Sequence, residues 1–231
     1  MSSWPGASYR DVPRSSPTWS IRQPLANWMR EEGARAAGKR VLDVGCGVKP
    51  YYPWFAQASE YVGVDVQENP HADLHGAVEA LPVADASFDV VLATQLLEHV
   101  DDPPAAVREL HRVAASGGRV LASTHGVMVY HPNPVDHWRW THTGLRRLFE
   151  GAGEWSSIRV DPCAGTTATL GFLFAEYVHL LAKRAGVEAL ARPLVAAANT
   201  AAAAIDARVT ALRELQPGAL IANFHVTAVR A

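Results

Sequence analysis

The run Val41-Leu42-Asp43-Val44-Gly45-Cys46-Gly47 joins a strand to a glycine turn. A nearly continuous apolar run is typical of a parallel strand that is buried on both faces, and glycines at its carboxyl end let the backbone approach a ligand where a side chain would clash. A second strand, Tyr61-Val62-Gly63-Val64-Asp65, follows, and its terminal acid is placed to accept hydrogen bonds from ribose hydroxyls. The two strands together predict a crevice that binds a nucleoside.

Strands and helices alternate on both sides of this crevice. The predicted strands are Arg40 to Val44, Tyr61 to Asp65, Ala72 to His75, Phe88 to Thr94, Gly118 to Thr124, Ser157 to Val160 and Leu220 to Val229. The predicted helices are Ile21 to Ala37, which could cover the crevice, Pro103 to Ala115, with Gly117-Gly118 as its stop, and Thr143 to Ala152. This alternation predicts parallel strands joined by helices.

Residues 167–215 are alanine-rich and helical in pattern, with Gly186 and Pro193 dividing them. We interpret them as a helical insertion, or lid, ahead of the last strand. Within Ala168 to Arg184 a wide apolar face consists of Leu170, Phe172, Phe174, Val178 and Leu181. Packing of this face on the sheet is the favoured interpretation. A lid over an apolar substrate, a membrane-surface contact and a homodimer contact are the alternatives.

Size and composition limit the class of protein. A chain of 231 residues can bury the core of one α/β domain, and we expect an irregular arm over residues 1–20 followed by a single domain over residues 21–231. The formal net charge of −2 provides no field that would hold a polyanion, so we expect no nucleic-acid partner. The two cysteines, Cys46 and Cys163, predict neither a disulfide framework nor a paired-thiol metal site, which favours a reducing compartment.

The amino terminus does not have the pattern of a secretory signal, because prolines and serines stand where an apolar segment behind basic residues would be required. We therefore expect a cytoplasmic protein. The longest apolar run, Ala168 to Ala182, is interrupted by Glu176 and His179 and is shorter than the ~20 residues that a membrane span needs. We expect no transmembrane segment.

Several further motifs indicate which nucleoside is bound. Pro50 stands where the dinucleotide fingerprint has its third glycine, which makes NAD or FAD the second choice. In chain order the remaining motifs are Val41 to Gly47, Val62 to Asp65, Glu79-Ala80-Leu81-Pro82, Asp85 to Val91 and Leu96-Leu97-Glu98-His99-Val100. Together they resemble class I S-adenosylmethionine-dependent methyltransferases of the type 11 group. The resemblance implies a Rossmann-like, seven-stranded, mostly parallel α/β sheet with helices on both faces and an antiparallel last strand.

The resemblance also implies how S-adenosyl-L-methionine is held. The backbone of residues 45–47 would lie against its methionine part, Asp65 would bind the ribose hydroxyls, and Asp43 would support the turn. Many relatives carry an aspartate where this chain has Ala77, so the adenine contact would come from backbone, from Glu79 or be missing. The implied cofactor-binding residues are Asp43, Gly45, Cys46, Gly47, Asp65, Val66, Ala77, Val78, Glu79, Thr94 and Gln95.

Methyl transfer to a hydroxyl also needs a general base, and the candidates follow the fifth strand. His125 lies just past the strand, and His131 and His137 follow within one loop. Each is a candidate base or acceptor-orienting residue, with a structural hydrogen-bonding role as the alternative. Asp136 and Arg139 in the same loop would contact substrate or form an internal salt bridge.

The neighbouring acids and histidines suggest no metal site. The spacing of the loop histidines and Asp136 matches none of the usual zinc patterns, so we expect no metal. We interpret Glu98 as mostly structural and His99 as a weaker candidate base, because imidazole titrates near pH ~6.5.

The sequence leaves two functions open beside the first. It predicts a methyltransferase that acts on a small-molecule acceptor, with O-methylation of a sugar, lipid-linked or secondary-metabolite substrate favoured. The first alternative, which Ala77 motivates, is a nucleoside-binding or interaction protein on the same fold with little turnover. The second is a nicotinamide-dependent oxidoreductase.

Overall fold

A seven-stranded sheet forms the centre of the molecule in a computed structural model that describes residues 4–66, 69–130, 132 and 134–231. The strands are β1 (Arg40–Val44), β2 (Glu60–Asp65), β3 (Leu74–His75), β4 (Phe88–Thr94), β5 (Ala114–His125), β6 (Trp155–Pro162) and β7 (Asn223–Arg230). Their order is β3-β2-β1-β4-β5-β7-β6. Neighbours among β1–β5 are parallel, and β7 runs antiparallel to both β5 and β6. The predicted fold class is confirmed.

The order of strands reverses between β1 and β4, and this reversal determines where a ligand can enter. Crossovers leave β1 toward one edge of the sheet and β4 toward the other, so a crevice opens between the carboxyl ends of these two strands. The glycine turn follows β1, and Gln95 follows β4. The switch point therefore lies beside the glycine turn and Gln95, which were predicted from the sequence to bind the ligand.

Helices cover both faces of the sheet. They are α1 (Ala7–Arg10), α2 (Trp19–Arg35), α3 (Pro103–Val113), α4 (His142–Glu150), α5 (Thr166–Ala185) and α6 (Glu188–Arg208). Val90 and Leu92 of β4 pack with Leu25 and Met29 of α2 on one face. On the other face, alternate residues of β4 pack in a second cluster with the apolar stripe of α3.

Capping residues explain where α3 begins. The Asp102 side chain accepts a hydrogen bond from the Ala105 amide at 3.0 Å, and prolines occupy the first helical positions, where an amide hydrogen would have no intrahelical partner.

The prediction that α3 reaches residue 115 and stops at Gly117-Gly118 was wrong. Strand β5 begins at Ala114, and its pairing with β4 jumps from Phe88↔Ala114 to Val90↔Arg119, so both glycines lie in a bulge of the strand.

The amino-terminal part of the chain is more ordered than expected. Helix α1 and the first residues of α2 fall within residues 1–20, for which an irregular arm was predicted. Trp4 Nε1 donates to the Lys49 carbonyl at 2.8 Å, and Arg10 donates to the Pro50 carbonyl. These contacts attach the arm to the loop that follows the glycine turn.

The insertion is a helical hairpin of α5 and α6, which lies between β6 and β7 as predicted. Gly186 separates the two helices, but Pro193 does not divide the segment, because α6 continues through it near its start, where one backbone hydrogen bond is lost. The prediction that the apolar face of α5 packs inward holds for Phe172, which is fully buried beside Ile21. It was wrong for Leu170, Phe174 and Leu181, which are exposed.

None of the helices within the described ranges is both long enough and apolar enough to cross a bilayer.

Candidate functional site

A cavity of about 560 Å³ opens at the switch point of the sheet. Its lining comes from the glycine turn, the carboxyl ends of β4 and β5, helix α2, the amino-terminal arm and Glu176 of α5. The predicted site residues that line it are Gly45, Cys46, Gly47, Thr94, Gln95 and His125. We refer to this space as the site cavity.

The glycine turn exposes main chain to the site cavity. Gly45 and Gly47 adopt φ values of 66° and 51°, which side chains disfavour. A Cβ on Gly45 would lie 2.8 Å from Leu96 Cδ1, whereas a Cβ on Gly47 would meet nothing within 4 Å. Open space at Gly47 leaves room for a ligand against the backbone. Burial raises the pKa of the Cys46 thiol to about 12, which keeps the thiol neutral.

Asp65 holds the turn from the end of β2. Its Oδ2 accepts from the Gly47 amide at 2.8 Å and from Asn69 Nδ2 at 2.7 Å, and its Oδ1 accepts from the Val66 amide at 2.8 Å. A carboxylate offers about four acceptor positions, so ribose hydroxyls could bind Oδ1 without breaking the contact to Gly47. Sequence reasoning missed Asn69, which also donates to the Gly47 carbonyl at 2.8 Å. The Asn-Pro turn dipeptide was the available signal.

A second group of polar side chains lies beneath the turn. Tyr61 donates to Asp43 Oδ2 at 2.6 Å, and burial raises the pKa of the Asp43 carboxyl to about 7. Lys49 Nζ lies 2.5 Å from Asp73 Oδ2, which also accepts from the Gly63 amide at 2.7 Å. Asp43 is buried in this layer and is not among the residues that line the site cavity.

The residues predicted to border adenine follow β3 and lie outside the lining of the site cavity. Ala77 is exposed and Glu79 is half-buried. Val78 belongs to the hydrophobic core, so only its backbone could contact a base. Val66 is 63% exposed and remains accessible beside Asp65.

His125, at the end of β5, lines the site cavity. Its side chain is 2% exposed, and Nε2 lies 3.1 Å from Glu98 Oε1 and 3.1 Å from Gln95 Oε1. His99 also lines the cavity, with its ring centroid 6.4 Å from that of His125. The contact to Glu98 was not anticipated, because it depends on how β4 and β5 pair.

Of the other two candidate bases, the structure describes only His137, and it does not bring that residue to this point. His137 lies outside the cavity lining, and its Nε2 is 3.8 Å from Asp101 Oδ1. His131 lies outside the described residues. Arg139 pairs with Asp136 at 2.5 Å, which agrees with an internal salt bridge that shapes the loop. Across the described ranges, no group of three or more His, Cys, Asp or Glu side chains could hold a metal ion.

The arm and α2 supply residues that sequence reasoning did not assign. Arg22 lies over the ring of Tyr9, 4.4 Å from its centroid, and both line the site cavity. Burial raises the pKa of Glu176, which lines it from α5. No motif marked these residues, since they meet only when the arm folds over the sheet.

Comparison with known proteins agrees with this geometry. The profile of a family described as "Methyltransferase domain" matches residues 19–153. The ubiquinone biosynthesis O-methyltransferase of Pseudomonas aeruginosa is 36% identical over 124 residues, which cover 47% of this chain and 53% of that protein. Its counterpart in Pseudomonas syringae pv. tomato is 35% identical over 124 residues. The chain thus spans about half the length of the relatives it matches.

Solved structures show the same fold. An S-adenosylmethionine dependent methyltransferase from Mesorhizobium loti gives a TM-score of 0.54 at 15% identity, over 90% of this chain and 98% of that one. Phosphoethanolamine N-methyltransferase 2 of Haemonchus contortus, in complex with S-adenosyl-L-methionine, gives a TM-score of 0.52 at 14% identity. The match covers 96% of this chain and 60% of that one. Because the family profile spans more than half of the chain, the chain belongs to this methyltransferase-domain family, a family of class I, S-adenosylmethionine-dependent methyltransferases.

Proposed function

We propose that this methyltransferase modifies a hydroxyl oxygen of a small-molecule acceptor of the sugar, lipid-linked or secondary-metabolite class. The observation that carries the proposal is the position of His125, a buried imidazole that lines the same cavity as the glycine turn. The name of the matched Pseudomonas relatives, which specifies O-methylation, supports the choice of oxygen.

The donor half of the site cavity fits the proposed binding of S-adenosylmethionine. The open space at Gly47 leaves room for the methionine part against its backbone, and Asp65 Oδ1 can accept from the ribose. Thr94 and Gln95 would border the sulfonium, which supplies an activated methyl group when the cofactor is bound. The chain's own contribution is to align the acceptor oxygen with that methyl group, and alignment can supply roughly 7 to 11 kcal/mol.

His125 would remove the hydroxyl proton as the acceptor reacts. A neutral imidazole has a proton affinity suited to this task near neutral pH, and base catalysis contributes about a hundredfold to ten-thousandfold. The deep position of His125 also keeps competing water away from the reacting oxygen.

The acceptor half of the site cavity favours a substrate with an apolar body. Its lining includes Ile21, Leu25, Met128, Val129 and Tyr130. A free sugar would leave this surface without a partner, whereas an aromatic or lipid-linked acceptor would bury it. Among the proposed classes, the lining therefore favours lipid-linked acceptors and aromatic secondary metabolites.

Two binding and turnover measurements test the proposal. Calorimetric titration with S-adenosylmethionine should show binding, and release of S-adenosylhomocysteine should follow with an acceptor from a panel of catechols, lipid-linked phenols and sugars. His125→Gln should retain cofactor affinity and lose at least tenfold in turnover.

Absence of binding at millimolar cofactor would contradict the proposal. Binding without release from any acceptor would favour a nucleoside-binding protein, and quenching of tryptophan emission by NADH would favour the oxidoreductase.

An exposed apolar stripe on α5 supports a second proposal, that the insertion contacts a membrane surface. The stripe consists of Leu170, Phe174, Tyr177 and Leu181, which are 54%, 46%, 60% and 46% exposed and recur at helical spacing. Lys183 and Arg184 in the last turn of α5 and Arg192 in α6 are exposed and could face anionic lipid headgroups.

Sedimentation with vesicles tests this contact. The protein should bind vesicles that contain phosphatidylglycerol, and Leu170→Gln with Phe174→Gln should abolish the binding without changing cofactor affinity. A concentration-dependent dimer that the same double variant dissociates, without vesicle binding, would assign the stripe to a homodimer instead.

A further inference from the structure

A positively charged side chain lines the site cavity among walls that are mostly apolar. Arg22 lies on α2, directly after Ile21, and is half-buried. Among the described residues that line the cavity, only Arg22 and Glu176 belong to the arginine, lysine, aspartate and glutamate class. A charge on an apolar wall loses part of its hydration, so a counter-charge stabilises it. Arg22 is therefore the cation that an anionic ligand in this cavity would meet.

The guanidinium of Arg22 is oriented without an ion pair. Its Cζ lies over the ring of Tyr9, 4.4 Å from the ring centroid. A contact of this kind fixes the side chain and uses none of its five N–H donors. In the part of the chain that the structure describes, no Asp or Glu carboxylate lies within ion-pair distance of Arg22. The donors of Arg22 are therefore available to a ligand.

Arg22 belongs to the wall that we assign to the acceptor. Ile21 packs with Phe172 of α5 and with Met128 of the segment that follows β5. Glu176 stands one helical turn after Phe172 and lines the cavity as well. Arg22 is close enough to Glu176 for its charge to act on the pKa of that carboxyl. The cation therefore lies beside the apolar lining of the acceptor half.

The charges of the cavity favour a carboxylate over a phosphate as the ligand of Arg22. One guanidinium balances one negative charge, and its parallel N–H donors match the two oxygens of a carboxylate. A phosphate monoester carries about −1.5 to −2 charges at pH 7 and would leave charge unbalanced beside Glu176. Burial raises the pKa of the Glu176 carboxyl, while His179 and Arg22 lower it. With its pKa raised, Glu176 repels a singly charged ligand less than a fully solvated glutamate would.

We infer that Arg22 is a specificity-determining residue that binds a carboxylate of the acceptor, so that the substrate is an aromatic or lipid-linked hydroxy acid. The inference rests on the proposed function and narrows its acceptor class. The apolar body of such an acceptor would cover Ile21 and Met128 while its carboxylate pairs with Arg22. An uncharged analogue would leave the guanidinium without a counter-charge, and this difference is the basis of the selection.

The carboxylate on the methionine part of the cofactor is the competing ligand for Arg22. The charge of Arg22 opposes the rise that burial causes in the pKa of Tyr51, which follows the glycine turn. The guanidinium thus acts on the donor half of the cavity as well. The two ligands predict different results, because loss of Arg22 would weaken acceptor binding in one case and cofactor binding in the other.

Acceptors that differ by a single charge test the inference. The probes are 4-hydroxybenzoate, 4-hydroxycinnamate and a 3-alkyl-4-hydroxybenzoate, each compared with its uncharged amide by calorimetric titration, with and without saturating S-adenosylhomocysteine. We expect at least one acid to bind about tenfold to a hundredfold more tightly than its amide. Arg22→Gln should reduce this ratio to about one and leave cofactor affinity within about twofold. Arg22→Lys, which keeps the charge but loses the parallel donors, should retain part of the preference.

Arg30→Gln is the matched control. Arg30 lies on the same helix, over the ring of Trp54 at 4.9 Å from its centroid, and is outside the lining of the site cavity. The control should leave the preference for the acid unchanged.

Three results would overturn the inference: no acid that binds more tightly than its amide, an unchanged preference in Arg22→Gln, or a loss of cofactor affinity in Arg22→Gln without a change in preference. A preference for the acid that depends on Arg22, without release of S-adenosylhomocysteine from any acceptor, would instead overturn the proposed function. The two failures are therefore distinguishable.

Discussion

Asp65 combines a structural contact with a proposed binding contact. One of its oxygens fixes Gly47 and Asn69, and the other accepts from the adjacent Val66 amide. A residue of this kind is difficult to replace, because a substitution that spares the turn must still present an acceptor to the ribose. Its side chain is half-buried, so its hydrogen bonds are stronger than those of a fully solvated carboxylate.

Asp65→Ala should weaken S-adenosylmethionine binding at least tenfold. The loss of a charge-assisted hydrogen bond is worth about 1.5 to 3 kcal/mol, and the released Gly47 amide adds to it. Calorimetric titration measures the change. Asp85→Ala, which removes an exposed partner of Arg112, is the control and should bind the cofactor normally. Equal affinity in both variants would exclude Asp65 from the binding site.

At the level of elements, the packing of the β1 turn on β2 positions the site. Gly63 in β2 lies beneath the turn, and a Cβ there would stand 2.4 Å from Lys49 Cε and 2.8 Å from Cys46 Sγ. The strand and the turn therefore approach each other as closely as a glycine allows. The ion pair of Lys49 with Asp73 secures the same contact from below.

Gly63→Ala should displace the turn and destabilise the fold. Overpacking of this kind costs about 1 to 3 kcal/mol, and we expect cofactor affinity to fall with it because Gly47 moves. Denaturant unfolding measures the first effect and titration the second. Gly151→Ala is the matched control, since a Cβ there would meet its nearest neighbour at 3.5 Å; an equal loss of stability in the two variants would contradict this account.

The elements differ in how well the sequence predicts them. The strands β1, β2 and β4 were predicted to within one residue, because buried parallel strands are apolar throughout and end at recognisable turns. The bulge of β5 was missed, since a break in strand pairing has no local signal beyond its glycines. Which residues of α5 are exposed depends on what α6 and α2 cover, and that is a tertiary property.

The residues of the site differ in the same way: those in local motifs were predicted from the sequence, and those that meet through tertiary packing were not. The glycine turn and Gln95 were assigned from local motifs, and both line the site cavity. The contact of Glu98 with His125 joins residues on two elements whose register the sequence does not reveal. Tyr9 and Arg22 likewise meet over the cavity only because the arm folds back.

The whole molecule contains buried ionisable groups that act on its stability in opposite directions. Burial raises the pKa of Asp43 to about 7, so between pH 3.8 and about 7 the native state holds a proton that the unfolded chain has lost, and stability falls as the pH rises through this range. Burial lowers the pKa of His225 to about 3, so stability falls in the other direction, as the pH drops from 6.5 to about 3.

Asp43→Asn should therefore change the pH dependence of global stability. Between pH 5 and pH 8 the variant should lose about 3 kcal/mol less of its unfolding free energy than the unsubstituted protein. Urea unfolding at the two pH values measures the difference. His225→Gln serves as the comparison, because it should alter only the acidic side; parallel curves for Asp43→Asn and the original protein would show that the carboxyl titrates normally.

The open main chain at Gly47 has an evolutionary consequence. The space beside Gly47 depends on the backbone and on a missing side chain, so substitutions at the surrounding side chains leave it open. The opposite half of the crevice depends on side chains such as Ile21 and Met128, which single substitutions can reshape. Under the proposed function, descendants of this chain could therefore acquire new acceptors while keeping the same methyl donor.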